Sequence, residues 1–460
     1  MSNDAPAIKA GMTDEEYADN LRRATLASSI GSALEYYDFA LYGLCASLIF
    51  GKLFFPEFGG AKGTMASFAV LGVGFLARPL GGLIFGTLGD KIGRKWVLMV
   101  TIALMGGSST VIGLLPTASQ LPNPGWLAPA LLVLMRLLQG LGAGAEQAGS
   151  TVLMAEYGPR KRRGFFSALP FIGIQAGTLL ASGVFWLVTQ ASDEVLFGWL
   201  WRVPFLVSFL LIGIAVWIRS RLKETPTYIE LEKHEQVQEN PLGELFRNSM
   251  SNVLKGIGLR MAENGGSYLY SNLAVTFMVY YGVTKGTGAL AVAAASLIGI
   301  FSVPLFGKLS DRWGRVPVYR MGGFILLLLA FPGWYLMTKG NPALSILIVA
   351  LSIGFGVNTM LGAQCAMLPE MFGAQHRYVG VAVSREFSAV LAGGLGPFIG
   401  MWLLGRTNYA WWVGGSYVAA LCLITLITTF VTPETVGRDV TLTVDAHHGE
   451  DRTIGLETQR

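Results

Sequence analysis

Apolar runs of about 20 residues recur along nearly the whole chain, and short polar, mostly basic stretches separate them. A helix of that length rises about 30 Å, enough to cross the hydrocarbon core of a bilayer. The pattern predicts about twelve such helices, over 27–50, 64–88, 96–115, 126–153, 165–189, 199–218, 252–281, 287–308, 318–338, 343–367, 378–404 and 410–430. One long charged interval, 219–251, divides them six and six. The expected organisation is a cytoplasmic N-terminal segment 1–26, a bundle 27–218, a cytoplasmic linker 219–251, a second bundle 252–430 and a cytoplasmic tail 431–460. The fold class read from this is an all-α membrane protein with twelve transmembrane helices in two six-helix bundles. The linker's charged, helix-like pattern reads as a solvated surface segment with no binding role of its own.

Composition agrees with that reading. Charged residues make up 14% of the 460, against roughly 25% in soluble domains. The 59 glycines let membrane helices pack closely. A net charge of +5 could serve nucleic acid, but the basic residues cluster between apolar runs, where anchoring to the inner leaflet accounts for them better. The even-numbered connections carry Lys91, Arg94, Lys95, Arg160, Lys161, Arg162, Arg163, Arg219, Arg221, Lys223, Lys308, Arg312 and Arg315. The odd-numbered ones are nearly free of basic residues, and 116–125 has none. Both termini are therefore expected in the cytoplasm, in a cell (inner or plasma) membrane. Cys45, Cys365 and Cys422 stand far apart in apolar segments and read as packing residues, without disulfide or metal spacing. The polar, mixed-charge opening MSNDAPAIKAGMTDEEYADNLRRA is unlike a cleaved signal peptide.

The chain also repeats itself. FGTLGDKIGRK at 85–95 aligns with FGKLSDRWGRV at 306–316, matching at Phe85, Gly86, Leu88, Asp90, Gly93 and Arg94 at a constant offset of 221. A weaker echo pairs MAEYGPRKRRG at 154–164 with LPEMFGAQHRYVG at 368–380. Two parallel six-helix halves follow from these repeats. The duplicated G-x-x-x-D-x-x-G-R loop resembles that of the major facilitator superfamily. Within it, EYYDFALYG at 35–43, FLARPLGGLIFGTLGDKIGRK at 75–95, RLLQGLGAGAEQAG at 136–149, WRVPF at 201–205 and PEMFGAQHRYVG at 369–380 resemble the metabolite:proton symporter family, nearest its shikimate-type branch. The resemblance implies pseudo-symmetric bundles that alternate access around a central site, with spans one and four side by side. It also implies a small-molecule substrate, protons and the lipid bilayer as partners, a monomer, no nucleic acid, and no cofactor beyond the proton gradient. Two stretches depart from the family pattern, AGAEQAG in span four and Arg385–Glu386 in span eleven.

A charge at the bilayer centre costs roughly 2.5–3.5 kcal/mol on insertion scales, so each one asks for a role. The candidates are Glu35, Asp38, Arg78, Arg136, Glu146, Arg260, Glu263, Arg385 and Glu386. In span seven, Arg260, Glu263, Asn264, Ser267, Tyr268, Ser271 and Asn272 form one polar stripe at helical spacing, which must face protein or a water-filled pathway. In span one, Glu35 and Asp38 are i,i+3 neighbours that repel unless a cation holds them, and Arg136 is the natural cation on the family architecture. The rest of that helix, Leu34, Phe39, Ala40 and Leu41, is expected to face lipid. A fixed ion pair locking spans one and four stays open as the alternative.

All four histidines lie outside the spans, so proton coupling falls to carboxylates. Asp38 ranks first on the resemblance, with Glu35 and Glu263 behind. Arg136, Arg260 and Arg385 are candidates for a substrate carboxylate, because guanidinium offers a forked pair of donors. Tyr42, Gln175, Asn264, Tyr268, Asn272 and Asn358 complete the candidate substrate set. Arg78, Asp90, Arg94, Glu146, Asp311 and Arg315 are assigned to gating. Arg385 and Glu386 point about 100° apart on a helix, so each needs its own partner.

Nothing points to catalysis. No HExxH, GxSxG, phosphate loop or Cys/His cluster occurs, and GLGAGAEQAG at 140–149 lies in a span with no preceding strand. The reading is a proton-coupled importer of a small organic acid. The alternatives are a symporter of a zwitterion such as proline or betaine, and a proton-coupled antiporter. A channel is disfavoured, since a duplicated latch implies alternating access.

Overall fold

The structure, a computed structural model, describes residues 13–92, 94–121, 126–144, 147–221, 245, 247, 249–375 and 377–447. Side chains are described for these except at 27, 86, 87, 89–92, 94–98, 147–150 and 215–221. Twelve long helical rods account for most of them. They are α1 (Asp14–Leu48), α2 (Gly60–Ile92), α3 (Arg94–Leu114), α4 (Leu127–Ala143, then Gln147–Tyr157), α5 (Arg163–Ala168, then Phe171–Val188) and α6 (Val203–Arg221). The second half has α7 (Met250–Tyr268, a π turn Leu269–Leu273, then Ala274–Tyr280), α8 (Lys285–Trp313) and α9 (Arg315–Met337). It continues with α10 (Pro342–Leu351, a π turn Ser352–Val357, then Asn358–Met371), α11 (Arg377–Ser388, a π turn Ala389–Gly394, then Leu395–Arg406) and α12 (Trp411–Val431).

Helices satisfy their own backbone, the condition for crossing hydrocarbon. Among the described residues, seven are long and apolar enough to cross a membrane by length and composition alone. The rods α1 and α7 are less apolar because they carry the buried charges and the polar stripe. The twelve rods fall at the predicted spans. The first begins earlier, at Asp14 rather than 27, where Thr13 and Glu16 form a reciprocal capping box. Gly314, at φ +101, makes the tight turn from α8 into α9 and so sets Asp311 and Arg315 on either side of it.

The halves meet along α2 against α11 and α5 against α8. At the second crossing Gly164 and Gly307 touch, and a Cβ on Gly307 would come within 2.6 Å of the Gly164 carbonyl oxygen. The chain ends, near the start of α1 and the end of α12, share one end of the bundle, here called the terminus end. The opposite end is less bare of basic residues than expected, with Lys52, Lys62, Lys285, Lys339 and Arg406. Some of these make contacts there. Lys285 pairs with Asp193 at 2.5 Å, and Lys52 and Lys285 each lie 4.9 Å from the Phe197 ring.

Candidate functional site

The terminus end is shut by a buried ion network across the halves. Glu370 on α10 is 1% exposed. It accepts from Arg163 Nη1 at 3.0 Å, Arg315 Nε at 3.0 Å, Arg315 Nη2 at 3.1 Å and Thr435 Oγ1 at 2.9 Å. Asp311 receives the backbone N–H groups of Gly164 (2.7 Å) and Phe165 (3.0 Å), capping the first turn of α5 in the other half, and Arg315 Nη1 at 2.7 Å. Glu434 accepts from the N–H groups of Arg315 and Val316 at the start of α9. The second echo explains the design. It aligns Glu156 with Glu370 and Arg163 with Arg377, and the structure swaps the partners, pairing Arg163 with Glu370 and Arg377 with Glu156 at 3.0 Å each. Each arginine also donates Nε to a carbonyl eight residues back, Ala155 or Pro369. Glu370, Arg163, Glu156 and Arg377 were not singled out from sequence, although that echo contains all four.

The opposite end is closed more lightly. Ser47 Oγ donates to the Asn272 carbonyl at 3.1 Å, Thr276 Oγ1 donates to the Ser47 carbonyl at 3.1 Å, and Lys285 meets Asp193. Between the two closures lies a cavity of about 70 Å³, room for more than a single water. Both halves line it. Tyr36 and Phe39 come from α1, Gln175 and Thr178 from α5, Glu263, Asn264, Ser267, Tyr268, Ser271 and Asn272 from α7, Asn358 from α10 and Arg385 from α11. The polar stripe of α7 thus faces the cavity from Glu263 onward. Gln175 Nε2 donates to Asn358 Oδ1 at 3.1 Å and bridges the halves. The Nδ2 donors of Asn264 and Asn358 have no acceptor among the described residues. The Arg385 guanidinium lies 5.5 Å from the Phe171 ring. Arg260 sits outside the lining, donating Nε to Ser388 at 2.8 Å and pairing with Glu263 at 3.1 Å.

The expectations for α1 need correction. Glu35 and Asp38 do not share a cation. Glu35 lies 3.1 Å from Arg78 Nη2, whereas Asp38 Oδ1 accepts from Ser208 Oγ on α6 at 2.7 Å. Asp38 faces a one-water-sized pocket between α1, α3 and α6, away from the central cavity. Among the described residues Arg136 makes no ion pair. It is fully buried, donates to Gln139, and lies against the rings of Tyr42 (4.1 Å) and Phe39 (4.5 Å). Arg136 and Tyr42 therefore stand behind Phe39 and do not line the cavity. Phe39 and Ala40, expected toward lipid, line it, and Leu41 is fully buried. Arg78 contacts Glu35 and, on α11, Glu386 at 3.0 Å. Of the remaining gating candidates, Glu146 and the side chains of Asp90 and Arg94 lie outside the described residues.

Arg136 owes its place to Gly74 on α2, where a Cβ would come within 2.9 Å of the guanidinium carbon. Gly74→Ala should cost about 1–3 kcal/mol by overpacking. Gly107→Ala, whose Cβ would meet nothing within 4 Å, should be neutral or stabilising. Thermal unfolding in detergent compares the two, and equal melting temperatures would remove the packing argument.

Comparison with known proteins agrees with this architecture. Residues 24–240 match the family described as Sugar (and other) transporter, and residues 256–446 the Major Facilitator Superfamily. The shikimate transporter of Escherichia coli (strain K12) is 36% identical over 417 residues, covering 88% of this chain and 93% of the relative. The proline/betaine transporter of Salmonella typhimurium is 34% identical, over 91% of this chain and 84% of the relative. The crystal structure of a D-xylose-proton symporter superposes with a TM-score of 0.69 at 19% identity, covering 90% of this chain and 99% of that one. The chain belongs to the major facilitator superfamily, among its metabolite:proton symporters. It is a multi-pass membrane transporter of a small molecule, not an enzyme.

Proposed function

We propose that the chain imports a small organic acid together with a proton, with the terminus end in the cytoplasm, as a monomer and without a cofactor. The observation that carries this is the cavity itself. It lies between the two closures and is shared by the two halves, and Arg385 lines it together with Asn264 and Asn358, whose Nδ2 donors have no acceptor among the described residues. Those groups suit a carboxylate with adjacent hydroxyls. Charge balance supplies the coupling. Deep in the membrane, the described residues offer four arginines (78, 136, 260, 385) and four carboxylates (35, 38, 263, 386). An entering monoanion leaves one uncompensated negative charge in a low-dielectric interior, and one proton restores neutrality. Alternating access then follows from opening one closure at a time.

The same cavity favours one second reading. Tyr36, Phe39 and Tyr268 present rings to it, and rings attract quaternary ammonium groups, so a zwitterion such as betaine also fits. A thermal-shift screen of purified protein separates the two, because a ligand that binds the native state raises its apparent stability. Shikimate and other small carboxylates should shift melting more than betaine or proline. In proteoliposomes, an inside-alkaline gradient should drive accumulation of the acid that shifts melting most, and a protonophore should abolish it. Arg385→Gln should weaken binding about 10- to 100-fold, the value of a charge-assisted hydrogen bond. Proton efflux on substrate entry would replace symport by antiport, and a betaine-only shift would replace the acid.

A further inference from the structure

Arg78 stands in an arrangement that the substrate cavity does not explain. It is 3% exposed on α2 and lies between two carboxylates. Its Nη2 is 3.1 Å from Glu35 on α1, in its own half. Its Nε donates to Glu386 Oε2 at 3.0 Å and its Nη2 approaches Glu386 Oε1 at 3.5 Å, both on α11 in the other half. One guanidinium thus serves two carboxylates, and one of the two bonds crosses the interface that must part when the terminus end opens. The rings of Phe39 and Phe75 cover the guanidinium at 5.2 and 5.8 Å, so little water screens it. Parting the halves strips Glu386 of this cation while it is still buried in protein, unless the carboxylate first takes up a proton.

We propose that Glu35, Arg78 and Glu386 form an inter-half charge clamp, and that a proton taken up by Glu386 releases it so that the terminus end can open. The inference rests on the transport reading above and adds a positioning residue to it. Glu386 is the switched member because Glu35 stays with Arg78 when the halves move. The other groups around the cluster are Tyr36 from α1, Arg136 from α4, which shares the Phe39 ring with Arg78, Tyr268 from α7 and Arg385 beside Glu386 on α11, with the Arg260–Glu263 pair next to Arg385. Glu370 on α10 and Glu156 on α4 are held by the terminus-end arginines, and Glu146 lies outside the described residues. Proton uptake converts a cluster of two anions and one cation into one neutral acid and one ion pair, so charge within the protein is balanced at the moment of separation.

The native cysteines supply the test. Cys365 is fully buried in a cluster formed by both halves, with Ala168, Phe171 and Ile174 from one and Val303 and Leu361 from the other. Cys45 and Cys422 are buried within the main core. N-ethylmaleimide labelling of the purified full-length chain, resolved by site with mass spectrometry, therefore reads opening of the interface at Cys365 and general loosening at the other two. Glu386→Gln, which mimics the protonated acid, should label at Cys365 about tenfold faster than wild type at alkaline pH. Glu35→Gln, which removes a bond within one half, should keep Cys365 protected. A ratio near one at alkaline pH, equal labelling in the two variants, or a parallel rise at Cys45 and Cys422 each overturns the assignment. The measurement uses neither substrate nor gradient, so its failure is distinct from a failure of the transport reading.

Discussion

Glu370→Gln should abolish gradient-driven accumulation while leaving substrate exchange measurable. The carboxylate is buried and receives Arg163, Arg315 and Thr435 from three separate segments. Removing one partner of a buried ion pair typically costs about 3–5 kcal/mol, because the remaining charge is left uncompensated. Here that cost falls on the closed form of the terminus end, since the Arg163 bond spans the halves. A bias of that size shifts the equilibrium between closed and open forms by about 10²- to 10⁴-fold. The carrier would then rest open at the terminus end, able to exchange substrate there but rarely presenting the site to the other side. Counterflow and pH-driven uptake in the same proteoliposomes measure the two quantities. Glu156→Gln is the internal comparison. Its side chain is 26% exposed, so water reaches the pair and loss of its bond to Arg377 should cost less than loss of Glu370. Equal effects of the two substitutions would show that Glu370 is one ion pair among several rather than the centre of the closure.

Much of this architecture is legible in the sequence. The apolar runs locate the twelve rods, and the spacing of polar residues in α7 locates the cavity wall from Glu263 to Asn272. The repeated loop gives Asp311 and Arg315, and the shorter echo contains the swapped pairs of Glu156 and Glu370. What fails is the direction in which α1 faces. Periodicity finds a face by contrasting a buried side with an exposed one, yet Phe39, Leu41 and Tyr42 point different ways and are all buried. Such a helix has no lipid side for the pattern to reveal, so the i,i+3 spacing of Glu35 and Asp38 could not show that Arg78 takes one and Ser208 the other. Glu386 is legible as a charge that needs a partner, but the partner is not, for a different reason. Its partner is 308 residues away, and no local spacing encodes a contact between halves. The π turns in α7, α10 and α11 carry no residue signature either, since one widened turn leaves the apolar period of the flanking helix unchanged.

Asp38→Asn separates the coupling role of this residue from a structural one. Asparagine has the shape of aspartate and keeps an oxygen for Ser208 Oγ, which now donates at 2.7 Å, but it cannot carry a proton. If Asp38 locked α1 to α4 through Arg136, neutralising it would loosen the bundle. The structure gives Asp38 hydroxyl partners in Ser208 and Ser109 and sets Arg136 against Tyr42 and Phe39. The expected loss of stability is therefore about 1–2 kcal/mol, the weakening of its charged hydrogen bonds. Function should change far more. Among the described residues four arginines then stand against three carboxylates, so the empty carrier gains one positive charge relative to wild type, and the substrate anion offsets it without a proton. The variant should bind the anion at least as tightly as wild type, with an affinity that no longer falls as pH rises. Accumulation driven by a pH gradient should drop by about 10²-fold or more, because the proton no longer moves with the substrate. Ligand-induced melting shifts across pH test the first statement and proteoliposome uptake the second. Retained uphill uptake would move the proton to another carboxylate, either Glu386 of the inter-half clamp or Glu263, which lines the cavity beside Asn264.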